Sequence, residues 1–216
     1  MRIEAASVLA AVPAAQLGAD ARAAFERAAG EFVETQLYNA DRAEARVNLG
    51  AFYGNRGDAA KAEEGIKAAI RLEPFFLPAY VNLADLYGVR GRDSDGERIL
   101  RDGLKVAPKS AILHHALGLA PVRLKRSNEA LGELERATAL DPGNARFGYV
   151  YAVALHSTGK VDAAIARLEK ALLARPNDRD ILQALVSFHE ARGESAAAKR
   201  YAERLRLSEK DNDPKK

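Results

Sequence analysis

Cysteine is missing altogether from these 216 residues. Its absence excludes disulfides, thiolate metal sites, cysteine nucleophiles and haem attachment through C-x-x-C-H. It leaves a cytoplasmic and a periplasmic setting equally open. Tryptophan is also absent, and aromatics make up only 6% of the chain. They are not interleaved with arginines, and no basic run is longer than two residues, so nucleic acid is not an expected partner. Positive and negative charges nearly cancel, 33 against 30, and are interspersed. No apolar run approaches the length that crosses a bilayer, so membrane insertion is not expected. Sustained period-2 alternation, the mark of a strand, is missing too.

What the chain does have is a period. Segments Ala43–Phe76, Leu77–Ser110, Ala111–Asn144 and Ala145–Asp178 align without a gap at 34 residues, and a fifth begins at Arg179. Register 8 holds Gly50, Ala84, Gly118, Ala152 and Val186; register 20 holds Ala62, Gly96, Ala130, Ala164 and Ala198. Register 27 holds Ala69, Gly103, Ala137 and Ala171, with Leu205 breaking the rule. Small residues at these places let two helices approach closely, while Ile66, Leu100, Leu134 and Leu168 at register 24 fill an inner face. Register 15 carries Gly57, Gly91, Gly159 and Gly193, with Lys125 as the exception. Register 32 carries Pro74, Pro108, Pro142 and Pro176, each expected to end a helix because the residue before proline is pushed out of helical geometry.

A 34-residue helix–turn–helix unit with Asn48-Leu49-Gly50, Tyr53, Gly57-Asp58, Ala62 and Leu72-Glu73-Pro74 resembles the tetratricopeptide repeat. Asn82-Leu83-Ala84, Tyr87 and Gly91 repeat the signature, and the resemblance extends to about Leu207. It implies an all-α fold: a right-handed α-α superhelix of five repeats, 43–76, 77–110, 111–144, 145–178 and 179–207. One unit cannot bury its own apolar face, so neighbours must stack. Register 4 departs from the family pattern, with Arg46, Tyr80, His114, Gly148 and Leu182, so packing there must differ between repeats.

The ends are less regular. Residues 1–42 are expected to form N-terminal helices that act as a degenerate half-repeat cap. Asp20 would cap a helix over Ala21–Tyr38 with Phe25, Ala28, Ala29 and Phe32 on one face. A shorter helix over Met1–Val12 would be closed by Pro13; Glu4 and the short Ala5–Val12 run speak against a cleaved signal. Residues 208–216 have nothing to bury and read as a disordered polar tail.

The resemblance also implies that registers 2, 5, 9, 12 and 13 line a concave groove. The candidate groove residues are Val47, Asn55, Val81, Asp85, His115, Leu119, Val122, Arg123, Arg146, Tyr149, Val153, His156 and Gln183. An apolar track flanked by polar groups in the third and fourth repeats suits an extended or helical protein segment with apolar anchors and one acidic group. The competing expectation is that neighbouring helices, or a chain end folding back into the groove, cover some of these valines. The chaperone-binding members use a carboxylate clamp; of its positions, here Val47, Ala51, Asn82, Ile112 and Ala116, only Asn82 matches.

No nucleophile–base–orienter set, phosphate loop or carboxylate pair points to catalysis, and no cofactor is implied. His114 and His115 are adjacent and cannot share a helix face, His156 with Glu190 lacks a third ligand, and His189 sits at a packing register. Glu63-Glu64 reads as a solvated face, and Pro121 as a kink inside the third repeat's first helix. The function expected is a non-catalytic scaffold for a protein or peptide segment. Two alternatives remain open at this point. One is an accessory module in a larger bacterial redox protein, in the manner of repeat tails that follow HEAT-like and multihaem cytochrome segments. The other is a module that self-associates into a homo-oligomer.

Overall fold

A computed structural model describes the backbone of residues 9–12, 16–123 and 126–211, and the side chains of these except 121–123 and 209–211. Eleven helices occur among the described residues, and no strand. They are α1 (Ala19–Tyr38), α2 (Ala43–Asn55), α3 (Ala59–Leu72), α4 (Leu77–Val89), α5 (Asp93–Val106), α6 (Ala111–Arg123), α7 (Ser127–Leu140), α8 (Ala145–Ser157), α9 (Val161–Ala174), α10 (Arg179–Ala191) and α11 (Ser195–Asp211). The chain divides into two compact units, Met1–Pro108 with α1–α5 and Lys109–Lys216 with α6–α11. From α2 onward, odd and even helices alternate as the second and first member of a hairpin.

Local chemistry sets each helix end. Gly57, Gly91, Gly159 and Gly193 have φ of 82°, 69°, 79° and 74°, a left-handed conformation that glycine adopts without steric cost. At Gly57 the turn is a Schellman motif: Gly57 N donates to Gly54 O at 3.0 Å and Asp58 N to Tyr53 O at 2.9 Å. The far end of each of the first four hairpins is closed by proline. Glu73, Ala107, Asp141 and Arg175, which precede Pro74, Pro108, Pro142 and Pro176, all sit near φ −130° to −137° and ψ 77° to 88°. That is extended backbone, as the clash with the proline ring demands. Register 34 then supplies caps: Ser110 Oγ, Asn144 Oδ1 and Asp178 Oδ1 accept from Leu113 N, Phe147 N and Ile181 N at 3.1–3.3 Å.

Within a hairpin the helices meet through their smallest residues. A Cβ at Gly50 would lie 2.6 Å from Ile66 Cγ1 and 3.0 Å from Ala62 O; one at Gly118 would lie 2.6 Å from Leu134 Cγ. Ala62, Ala69, Ala137 and Ala164 have no exposure at all, and Leu100, Leu134 and Leu168 at register 24 have at most 1%. Burying one such leucine contributes about 2 kcal/mol. In unit 1, α2 packs on α1, α3 and α4. Phe32 of α1 meets Phe52 of α2 with ring centroids 5.0 Å apart, and Phe25, Ala28, Ala29 and Phe32 are the buried face of α1. In unit 2 a continuous core runs from Leu131 through Ala152, Leu168 and Leu185 to Tyr201.

Register 4 is solved differently in each repeat. Arg46 donates from Nε to Ala40 O at 2.8 Å, and Tyr80 is buried. His114 is buried with Nδ1 2.6 Å from Glu133 Oε2. Gly148 leaves room for Ala171 Cβ, 3.0 Å from where its own Cβ would be, and Leu182 is fully buried.

Several expectations need correction. Helix α1 starts at Ala19 with Gly18 as its cap, and Asp20 makes no capping bond. Asp20 stands in the first turn instead, where a carboxylate interacts favourably with the helix dipole. Helix α11 runs on to Asp211, past the expected boundary at Leu207. Ser208 is buried there with Oγ donating to Leu205 O at 2.7 Å, and the next helix breaker in the sequence is Pro214. Residues 212–216 lie outside the described residues, as does most of the Met1–Val12 helix, of which Ala10 is buried against Phe25, Ala28 and Phe32. Glu63 is no solvated bystander. Its carboxylate accepts from Tyr87 Oη at 2.9 Å, Arg92 Nη1 at 2.9 Å and Lys67 Nζ at 2.6 Å. Hydrogen bonding from Lys67 leads the effects that hold its carboxyl below the ordinary value. Helix α6 continues through Pro121, whose side chain is not among those described.

The close approach at Gly118 can be measured. Gly118→Val should lower stability in urea unfolding by about 2 kcal/mol or more, because the added carbons collide with Leu134. Gly132→Ala, in the same hairpin with nothing within 4 Å of its Cβ position, should raise stability by up to about 1 kcal/mol. Wild-type stability for Gly118→Val would show that the helices are not held together this tightly.

Candidate binding face

The first helices of the hairpins carry the thirteen predicted residues, and the two units treat them differently. In unit 1, Val47 is only 7% exposed and belongs to a core with Ile66, Leu83 and Tyr87. Its register points it at the face, but α4 of the following repeat packs against α2 and covers it. Val47 is therefore a core residue. Val81 is half-buried, and Asn55 and Asp85 are exposed.

In unit 2 the same registers form stripes. On α8, Arg146, Tyr149, Val153 and His156 are spaced three, four and three residues apart, which stacks them along one side of the helix. Arg146 and Val153 are exposed, the latter at 40%; Tyr149 and His156 are half-buried, with Tyr149 packed against the unit's core. On α6, Ile112, His115 and Leu119 have the same spacing, with Ile112 and Leu119 exposed at 43% and 37%. On α10, Gln183 is exposed. The side chains of Val122 and Arg123 lie outside those described.

The histidines do something that their registers alone did not reveal. His115 is 8% exposed, not a polar group at the surface; its ring stacks on Phe147 of α8 with centroids 4.4 Å apart. His156 of α8 lies flat on Phe188 of α10, centroids 3.8 Å apart and planes 6° from parallel. What His156 meets is thus Phe188. Phe147 and Phe188 were missed as functional candidates. Their signal is arithmetical: each aromatic stands two registers before the histidine's own register, one repeat later.

Burial first, and then the nearby Arg146 guanidinium, push the His115 ring down to about 4. The ring is therefore neutral at pH 7. His189 is buried, as its packing register implied, with Nδ1 2.6 Å from Glu194 Oε2 and its ring 5.5 Å from that of Tyr201. Asn82, the single match to the carboxylate clamp, donates to Pro78 O at 2.8 Å. Among the described residues no group of three or more histidines and carboxylates is arranged to hold a metal ion. Among them, too, no helix is long and apolar enough to cross a membrane.

Residues 123–187 match the family model of the tetratricopeptide repeat. No curated protein matches the sequence. Among solved structures, MamA (residues 41 to the end) from Desulfovibrio magneticus RS-1 superposes with a TM-score of 0.65 at 19% identity, over 79% of this chain and 97% of that one. The Pseudomonas aeruginosa pilF structure gives 0.65 at 15% identity, covering 95% of this chain and 91% of that one. YrrB, described as a TPR protein with an unusual peptide-binding site, gives 0.59 at 17% identity, over 84% and 93%. At such identities the likeness concerns the fold. Together with the 34-residue register and the alternating hairpins, it shows that this chain has the all-α helical-hairpin repeat fold of tetratricopeptide-repeat proteins.

Proposed function

We propose that the chain is a non-catalytic scaffold whose first-helix face in unit 2 holds a segment of another protein. The observation that carries this is the pair Leu119 and Val153. Both stand at register 9 of consecutive first helices, and both are more than a third exposed although they are large and apolar. Isolated exposed apolar residues are ordinary; a repeated one on a helical stripe beside a cation and a tyrosine is a feature of docking surfaces. Arg146 occupies the same stripe as Val153 and offers a planar, exposed guanidinium. The partner that fits is an extended or helical segment with two apolar side chains for Leu119 and Val153 and a carboxylate for Arg146. That YrrB has a peptide-binding site agrees with such a role for this fold. In unit 1 the face is narrower, since Val47 is withdrawn into the core.

Peptides selected from a random library against the full chain provide the test. Leu119→Glu and Val153→Glu should each weaken capture at least tenfold while changing stability by no more than about 0.5 kcal/mol, as exposed substitutions do. Unchanged capture by both variants would remove the face from consideration. Val47→Asp should behave in the opposite way, lowering unfolding stability by about 3 kcal/mol because it buries a charge. A Val47→Asp protein as stable as wild type would return that residue to the surface.

A further inference from the structure

All four histidines of the chain lie in unit 2, on first helices, and each bridges two elements. His114 ties α6 to Glu133 of α7, His115 ties α6 to Phe147 of α8, His156 ties α8 to Phe188 of α10, and His189 ties α10 to Tyr201 of α11. Unit 1 has no histidine.

His114 and His189 each place Nδ1 at 2.6 Å from a carboxylate oxygen. His115 has no such partner. Its Nδ1 is buried without a hydrogen-bond partner, and an aromatic face covers the ring. From α8 it faces the cationic Arg146. On its own helix stands His114, and Glu133 of α7 is bonded to His114 and Arg136. A proton on His115 would create a second N–H donor with no acceptor and a cation beside a cation, in a site shut off from water.

We infer that the His115–Phe147 stack is an acid-labile latch: protonation of His115 separates α6 from α8, and unit 2 loosens while unit 1 does not. The sign follows from the ring's neutrality in the fold. Above pH 6.5 the ring is neutral both folded and unfolded, and the latch is fully formed. As pH falls from about 6.5 toward 4, only the unfolded ring takes up the proton. The opening equilibrium then grows by up to tenfold per pH unit. A segment held on α6 and α8 would be released on acidification. That consequence rests on the proposed binding face; the latch itself does not.

The experiment is amide hydrogen exchange on the full chain at pH 7.5 and 5.0, corrected for intrinsic rates, with a parallel NMR titration of the histidine rings. Protection in α6 and α8 should fall at least tenfold at the lower pH relative to α3 and α5, and His115 should titrate well below 6.5. His115→Phe keeps an aromatic stack without a titrating group and should abolish the acid loss. Should that variant not fold, Arg146→Gln at an exposed position serves instead, and should move the His115 midpoint upward. Equal loss of protection in both units, an acid loss that persists in His115→Phe, or a His115 midpoint at the ordinary value would each overturn the latch. Peptide capture that survives at pH 5 despite lost protection would count against the binding face alone.

Discussion

Two helices of a repeat can lie against each other here only because the residues between them have almost no side chain. Ile66 occupies the place where a side chain on Gly50 would go, and Leu134 does the same at Gly118. The consequence reaches beyond the hairpin. With the second helices α3, α5, α7 and α9 turned inward through Ile66, Leu100, Leu134 and Leu168, the outward side of the first helix is left for neighbours or for a ligand. Everything on that side, from the buried Val47 to the exposed Val153, depends on how far the next first helix covers it.

That dependence explains what could be learned from sequence and what could not. The period, the small residues and the prolines report contacts inside one repeat, where spacing alone fixes the geometry, so the helices start at Ala43, Leu77, Ala111, Ala145 and Arg179. Position on the first helix gives a direction, not a degree of cover. Val47 and His115 share register 5, and both proved buried, by α4 in one case and by Phe147 in the other. The stacks of His115 and His156 join residues one repeat apart, and no motif within a single repeat contains them. The polar caps at Ser110, Asn144 and Asp178 were legible in principle, since a side-chain acceptor at register 34 follows three of the four proline-closed helices; Phe76 is the exception. Helix α11 outruns its expected end because Glu209 and Lys210, which follow its packed turns, are good helix formers.

The units also differ in the chemistry that joins their helices. Unit 1 relies on a charged network in which Glu63 gathers Lys67, Tyr87 and Arg92, and Arg92 passes on to Asp95 while its guanidinium covers the Tyr87 ring at 4.3 Å. These groups keep their charges across the physiological range. Unit 2 relies on imidazole rings, stacked on aromatics at His115 and His156 and bonded to carboxylates at His114 and His189. A binding face and a proton-sensitive joint thus share helices α6 and α8, with Arg146 on the exposed stripe and acting on the buried ring.

The most direct measurement is amide-resolved NMR of the full chain titrated with a peptide selected for binding. Shift changes concentrated on α6, α8 and α10, strongest around Leu119 and Val153, are the predicted result. Changes confined to the second helices α7, α9 and α11 would contradict the assignment of the first-helix side as the working surface.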